Sequence, residues 1–197
     1  MTTEENILDK ASEIFYRRGL AGARMQEIAD LAGMNKAMLH YYFKTKEQLF
    51  DKVFAQAFEL FAGKIAEVLN DDLKLEDKIT SYVNYTIDSL AKDPGIPIFV
   101  LNELSHSPER ITDLFAGKNK INLDKFRDQV EKQTSGQTDV EMLFIDMVAL
   151  CIYPFIVAPV FKKLLQKSDQ QYALLLRSRK AHIITEILNR LYISPAI

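Results

Sequence analysis

Residues 24–50, RMQEIADLAGMNKAMLHYYFKTKEQLF, decide the fold. They spell two short helices around a glycine turn and then open a third. Ala29 falls where two helices crossing near a right angle come closest, a place for a small side chain, and Gly33 supplies a turn with positive φ four residues later. Ile28, Ala32 and Met34 give the first helix and the turn an apolar inner side, and Leu39 and Phe43, four apart, do the same for the second. Lys36, Ala37, His40 and Tyr41 are then left to face outward. Asn35 stands where a side-chain oxygen can cap the second helix, and Thr45 with Gln48 has the spacing of a capping box for the next.

That pattern also joins helices in proteins that never touch DNA, so the flanks carry weight. Arg17 and Arg18 precede it, Lys44 and Lys46 follow it, and the Tyr41 and Tyr42 hydroxyls can donate to phosphates. The run IADLAGMNKAMLHYYFKTKEQLF resembles the signature of the TetR family of bacterial transcriptional regulators over roughly the first 55 residues. The resemblance implies a helix-turn-helix in which Lys36, Ala37, His40 and Tyr41 approach base edges, while Tyr42 and Lys46 grip the DNA backbone. Four departures accompany it. Arg24 stands where the family usually has a capping Thr, and an arginine cannot accept an N–H bond. Ala37 replaces a common Gly, and Met38 and His40 replace a common Thr and Tyr. The expected operator sequence therefore does not carry over.

Composition agrees with this reading. The chain of 197 residues is long enough for one or two small domains with a core of their own, and its formal charge of −2 argues against indiscriminate nucleic-acid binding. Between residues 17 and 52, however, cations exceed anions by three, a modest basic patch on an acidic body. The single cysteine, Cys151, excludes an intramolecular disulfide and a multi-cysteine zinc site, which points to a reducing cytoplasm. The N-terminus, MTTEENILDK, lacks the pattern of a signal peptide, and Thr2 with Glu5 is spaced as a capping box. The longest uncharged run, residues 147–161, has 15 residues and two prolines and is too short to span a membrane.

Helical periodicity extends along the rest of the chain, and the fold class is all-α. A first helix ends at Gly19. A long fourth helix runs over 46–69, a further one over 75–92, and Asp93 with Pro94 opens one that ends near His106. Further helices are expected over about 119–132, 140–165 and 170–192. The division is an N-terminal helix-turn-helix domain, 1–46, and a helical effector-binding and dimerisation domain, 47–197.

Residues 144–161 are apolar nearly all round, and Tyr172, Leu175, Leu176, Ile183, Ile184, Ile187 and Leu191 give the last helix an apolar face. A four-helix bundle of these two helices from each of two subunits would cover both, and a twofold dimer presents two recognition helices to a palindrome. A monomeric core is the other reading of the same residues. The resemblance implies an effector pocket in the body. Phe58, Phe61, Phe99, Phe144, Met147 and Phe155 are its candidate apolar lining and Tyr85, Asn102 and Cys151 its polar contacts, though each also suits an ordinary core position. Such a lining favours a hydrophobic or amphipathic effector.

No motif calls for a cofactor, a metal or catalysis: His40, His106 and His182 are scattered, and no phosphate loop is present. The expectation is a non-enzymatic, ligand-responsive, homodimeric regulator, most often a repressor in this family, that binds a palindromic operator. A helical interaction module without specific DNA binding is the alternative, ahead of a helical enzyme.

Overall fold

The computed structural model of the chain describes residues 2–107 and 123–192, apart from the side chains at positions 61, 62, 64 and 192. Among these residues every regular element is helical. Helix α1, Thr3–Gly22, begins with the expected capping box: the Thr2 hydroxyl accepts from Glu5 N–H at 3.2 Å while the Glu5 carboxylate accepts from Thr2 N–H at 2.7 Å. Its regular part stops at Gly19, whose φ of 62° only a glycine adopts readily, and one further turn follows. Ile7, Leu8, Ala11, Ile14 and Phe15 form its buried face.

Helices α2, Met25–Leu31, and α3, Lys36–Tyr42, meet at the turn foreseen from Gly33. Gly33 has φ 71°; its N–H reaches the Asp30 carbonyl at 3.2 Å, and Met34 N–H reaches that of Ala29 at 3.0 Å. This paired closure satisfies the last carbonyls of α2. Ala29 is fully buried at the crossing, and Asn6 of α1 donates to the Ala32 carbonyl at 3.0 Å, which ties α1 to the turn.

The long fourth helix expected over 46–69 is interrupted. It consists of α4, Lys46–Phe58, a wider π turn at Glu59–Gly63, and α5, Lys64–Asn70. Periodicity alone does not distinguish the two windings, because both keep the backbone helical. At the start of α4 the hydroxyl half of the expected capping box is present, with Thr45 accepting from Gln48 N–H at 3.1 Å.

Helix α6, Leu75–Lys92, follows. Lys78 is buried on it, and its ammonium donates to the Leu69 carbonyl at 2.9 Å, closing the end of α5; burial pushes its pKa down. Asp93 and Pro94 do not open the next helix. Asp93 closes α6, its carbonyl accepts from Ile96 N–H, and α7, Ile96–His106, takes Pro97 into its first turn instead. Either proline suits a first turn, and the Asp93–Ile96 turn decides which one is used.

Helix α8, Asp124–Thr134, answers to the helix expected over about 119–132; positions 119–122 lie outside the described residues. The helix expected over 140–165 is two: α9, Val140–Ile156, and α10, Ala158–Leu164, bent by 70° at Val157, with Pro159 in the first turn of α10. A proline at position 159 has no N–H to continue α9, so the chain restarts in a new direction. No single described helix is long and apolar enough to cross a membrane. The last helix, α11, is Asp169–Tyr192.

Helix α11 lies along α6. Tyr172, Leu176, Ile183, Ile187 and Leu191 are buried there, within the subunit, so this part of the stripe assigned above to dimer formation is already used by the core. Leu175 and Ile184 keep partial exposure.

An aromatic cluster joins the first helices to the rest. Phe50 of α4 meets Phe15 of α1 edge-on at 5.0 Å and Phe99 of α7 at 5.5 Å, and Phe99 also meets Tyr16 at 4.8 Å and Phe54 at 5.7 Å. Phe50→Ala should destabilise the fold by about 3–5 kcal/mol, as a fully buried aromatic truncation does. Denaturant titration checks this; a loss below about 1 kcal/mol would show that the cluster collapses without harm.

Candidate DNA interface and effector site

Helix α3 is built to present one face. The Asn35 side-chain oxygen accepts from Met38 N–H at 2.8 Å and starts the helix, while Leu39 and Phe43 are buried beneath it. Lys36, Ala37, His40, Tyr41 and Tyr42 are all exposed; Tyr41 reaches 83% and meets Tyr42 edge-on at 5.5 Å. Met38 is exposed on the same helix and joins this surface, although its apolar side chain did not mark it as a contact. As Arg24 foretells, α2 begins with no side-chain cap.

His40 and Lys46 are held by the backbone. His40 Nδ1 lies 3.2 Å from the Lys44 carbonyl. A carbonyl only accepts, so the hydrogen of this bond sits on Nδ1 and Nε2 is left facing outward on the helix. The partly buried Lys46 donates to the Ala23 carbonyl at 3.2 Å, which links the start of α4 to the residues before α2. An ammonium has three donors, so this bond leaves two for a phosphate. Arg18 is paired with Glu27 at 2.8 Å.

The candidate effector residues do not form one group. Phe58, Met147, Cys151 and Phe155 are buried in the core, and Tyr85 and Phe144 are partly buried. Phe99 and the exposed Asn102 instead border a cleft of about 810 Å³ between α1, the start of α4 and α7, beside Tyr16, Arg17 and His106. Phe61 falls on an undescribed side chain and so lies outside the described residues. Among the described residues no group of three or more His, Cys, Asp or Glu is placed to hold a metal.

Two further core groups were missed. The Tyr82 hydroxyl on α6 and the Arg179 Nε on α11 are buried without a hydrogen-bond partner. The signal for the first is the spacing of Lys78, Tyr82 and Thr86, a polar stripe every fourth residue on a face otherwise filled by Ile79, Val83 and Ile87.

These helices define a helix-turn-helix protein with a helical body. Residues 7–53 match the family model of the bacterial regulatory proteins of the tetR family. The chain is 30% identical over 104 residues to the HTH-type transcriptional repressor NicS of Pseudomonas putida, a match covering 53% of this chain and 49% of the relative. It is 28% identical over 109 residues to the HTH-type transcriptional regulator RutR of Escherichia coli, covering 55% and 51%. The chain thus spans about half the length of the curated relatives it matches. Two solved structures share the fold. The transcriptional regulator FadR from Bacillus subtilis in complex with stearoyl-CoA has a TM-score of 0.63 at 18% identity over 93% of this chain and 96% of its own. HlyIIR, a hemolysin II transcriptional regulator, has a TM-score of 0.60 at 25% identity, again over 93% and 96%.

Burial pushes the Cys151 thiol up to about 12, against the smaller opposing pull of Arg179. The thiol is therefore protonated, and unreactive, up to about that pH. Iodoacetamide at neutral pH should leave Cys151 unmodified in the folded protein and label it after denaturation, as intact-mass measurement would read. Rapid labelling of the native protein would contradict this burial.

Proposed function

We propose that the chain is a ligand-responsive transcriptional repressor that works in the cytoplasm and binds a palindromic operator as a homodimer, without enzymatic activity. The observation that carries this reading is the exposure of Lys36, Ala37, His40, Tyr41 and Tyr42 on a helix sealed from below by Leu39 and Phe43. A helix so presented fits the major groove. Repression follows the naming of the Pseudomonas putida relative. The division into a DNA-binding domain, 1–46, and an effector and dimerisation domain, 47–197, belongs to the same proposal.

The dimer forms through α9 and α11, on faces other than the buried stripe. Met142, Ile145 and Tyr153 leave an apolar strip exposed along α9, and Leu174 is 64% exposed on α11. Such a strip favours a partner over water. The effector is a hydrophobic or amphipathic small molecule; the stearoyl-CoA bound to the Bacillus subtilis regulator is an example from a protein of the same fold.

Selection from a random duplex library at near-physiological salt should enrich an inverted repeat. A folded dimer that enriches nothing would turn the reading toward a helical interaction module. Lys46→Ala should weaken binding to every duplex and lower the salt slope by about one. Weakening confined to one sequence would refute the phosphate role.

His40 allows a sharper statement. With Nδ1–H held by the Lys44 carbonyl, Nε2 is the nitrogen left for a base, and as an acceptor it suits the amino group of adenine or cytosine in the major groove. His40→Leu should erase a preference for one of these bases at a single position of each half-site. An unchanged selected motif would remove His40 from base reading.

A further inference from the structure

One face of α7 changes character along its length. Phe99, Asn102, Glu103 and His106 recur at helical spacing on the side turned to α1 and α4. Phe99 is buried in the ring cluster, whereas Asn102 and His106, one and two turns on, are exposed. A face packed on its neighbours throughout would stay apolar, so the polar residues mark where α7 parts from the first helices. The space left there is the cleft of about 810 Å³, a volume within the range of small-molecule sites. Such sites are preferentially found where domains meet, and this one has α1 and the start of α4 on one side and α7 of the body on the other.

The cleft combines an apolar wall with free cations. Tyr16 and Leu20 of α1, both half-buried, border it beside Phe99. Arg18 is spent on Glu27, but Arg17 is exposed and carries no ion pair among the described residues. Lys46 uses one of its three donors on the Ala23 carbonyl. Glu47 and Glu103 border the cleft too, and Glu103 is already engaged. Arg17 and Lys46 therefore stand against Glu47, which leaves a place for an anion.

We propose that this cleft is the effector site and that it takes an aryl carboxylate, its rings against Tyr16, Leu20 and Phe99 and its anionic oxygens on Arg17 and Lys46. This rests on the ligand-responsive reading above and gives that effector its place and its chemistry. Lys46 couples the site to DNA. The ammonium proposed to meet a phosphate also borders the cleft, so ligand and operator compete for its two spare donors. A ligand here touches helices on both sides of the junction, and its affinity depends on how α1 and α4 sit against α7.

Ligand binding is measured first without DNA, by calorimetric titration of the full chain with benzoate, naphthoate and biphenylcarboxylate, each against its own carboxamide. At least one acid should bind about tenfold more tightly than its amide, the margin of an added charge-assisted bond. Arg17→Gln should remove most of that preference while sparing the amide's affinity, and Arg17→Lys should keep part of it, which separates loss of charge from loss of fold. Asn102→Trp, which puts an indole into the cleft, should block acid and amide alike without lowering the melting temperature. Acids no better than their amides, a preference untouched in Arg17→Gln, or binding untouched in a folded Asn102→Trp would each reject the site. The second arm adds the selected operator. The acid should weaken operator binding, and the operator should weaken acid binding by the same factor. An acid that binds in the cleft and leaves operator affinity unchanged would overturn the effector role. If no operator is selected at all, the regulator reading fails by itself, and the titrations still decide whether the cleft holds a carboxylate.

Discussion

The aim of the helix-turn-helix depends on a ring cluster that three helices share. Phe50 is enclosed between Phe15 and Phe99, both packed against it edge-on, the arrangement that the charge distribution of aromatic rings favours. Since the rings belong to α4, α1 and α7, neither α1 nor α4 can turn against the body without breaking a contact that α7 holds. The seal continues to the end of α6. Tyr16 packs on Phe99, and burial, with the Asp93 charge adding to it, pushes its phenol up to about 12, so the ring remains neutral in this crowded place.

Local backbone chemistry limits how the helix-turn-helix can be changed. Thr2, Asn35 and Thr45 each satisfy a backbone N–H at the start of α1, α3 and α4, whereas α2 starts at Arg24 with no such bond. The Lys46 ammonium holds the neighbouring Ala23 carbonyl from the side of α4. The same cation proposed to meet a phosphate thus also fixes the spacing between the starts of α2 and α4. A protein–DNA contact at Lys46 would act on a point already stiffened by the fold.

Much of the fold was legible where a residue's local role is decided by its immediate neighbours. Gly33 with Ala29, the Asn35 cap and the Leu39–Phe43 spacing needed no tertiary information, and the structure has them as expected. The misreadings arose where two solutions satisfy the same pattern. A π turn keeps apolar residues inward as an α turn does, so the interruption at Glu59–Gly63 was invisible. Pro94 and Pro97 both suit a helix start, and Pro154 and Pro159 both suit a break, so the choice fell to packing. The apolar face of α11 was legible, but what covers it was not: hydrophobicity does not say whether the cover is α6 or a second subunit. In the candidate effector site the large apolar residues drew attention, yet packing divides them between the core and the cleft beside α7.

These features form a continuous mechanical path. Helix α9 packs on α7, and α7 carries Phe99 into the ring cluster with α1 and α4. A ligand that displaces α7 would therefore act on the cluster, and edge-on ring contacts cannot absorb that displacement gradually, since close-packed side chains shift between discrete arrangements. A ligand can shift this balance only by as much as it prefers the displaced arrangement.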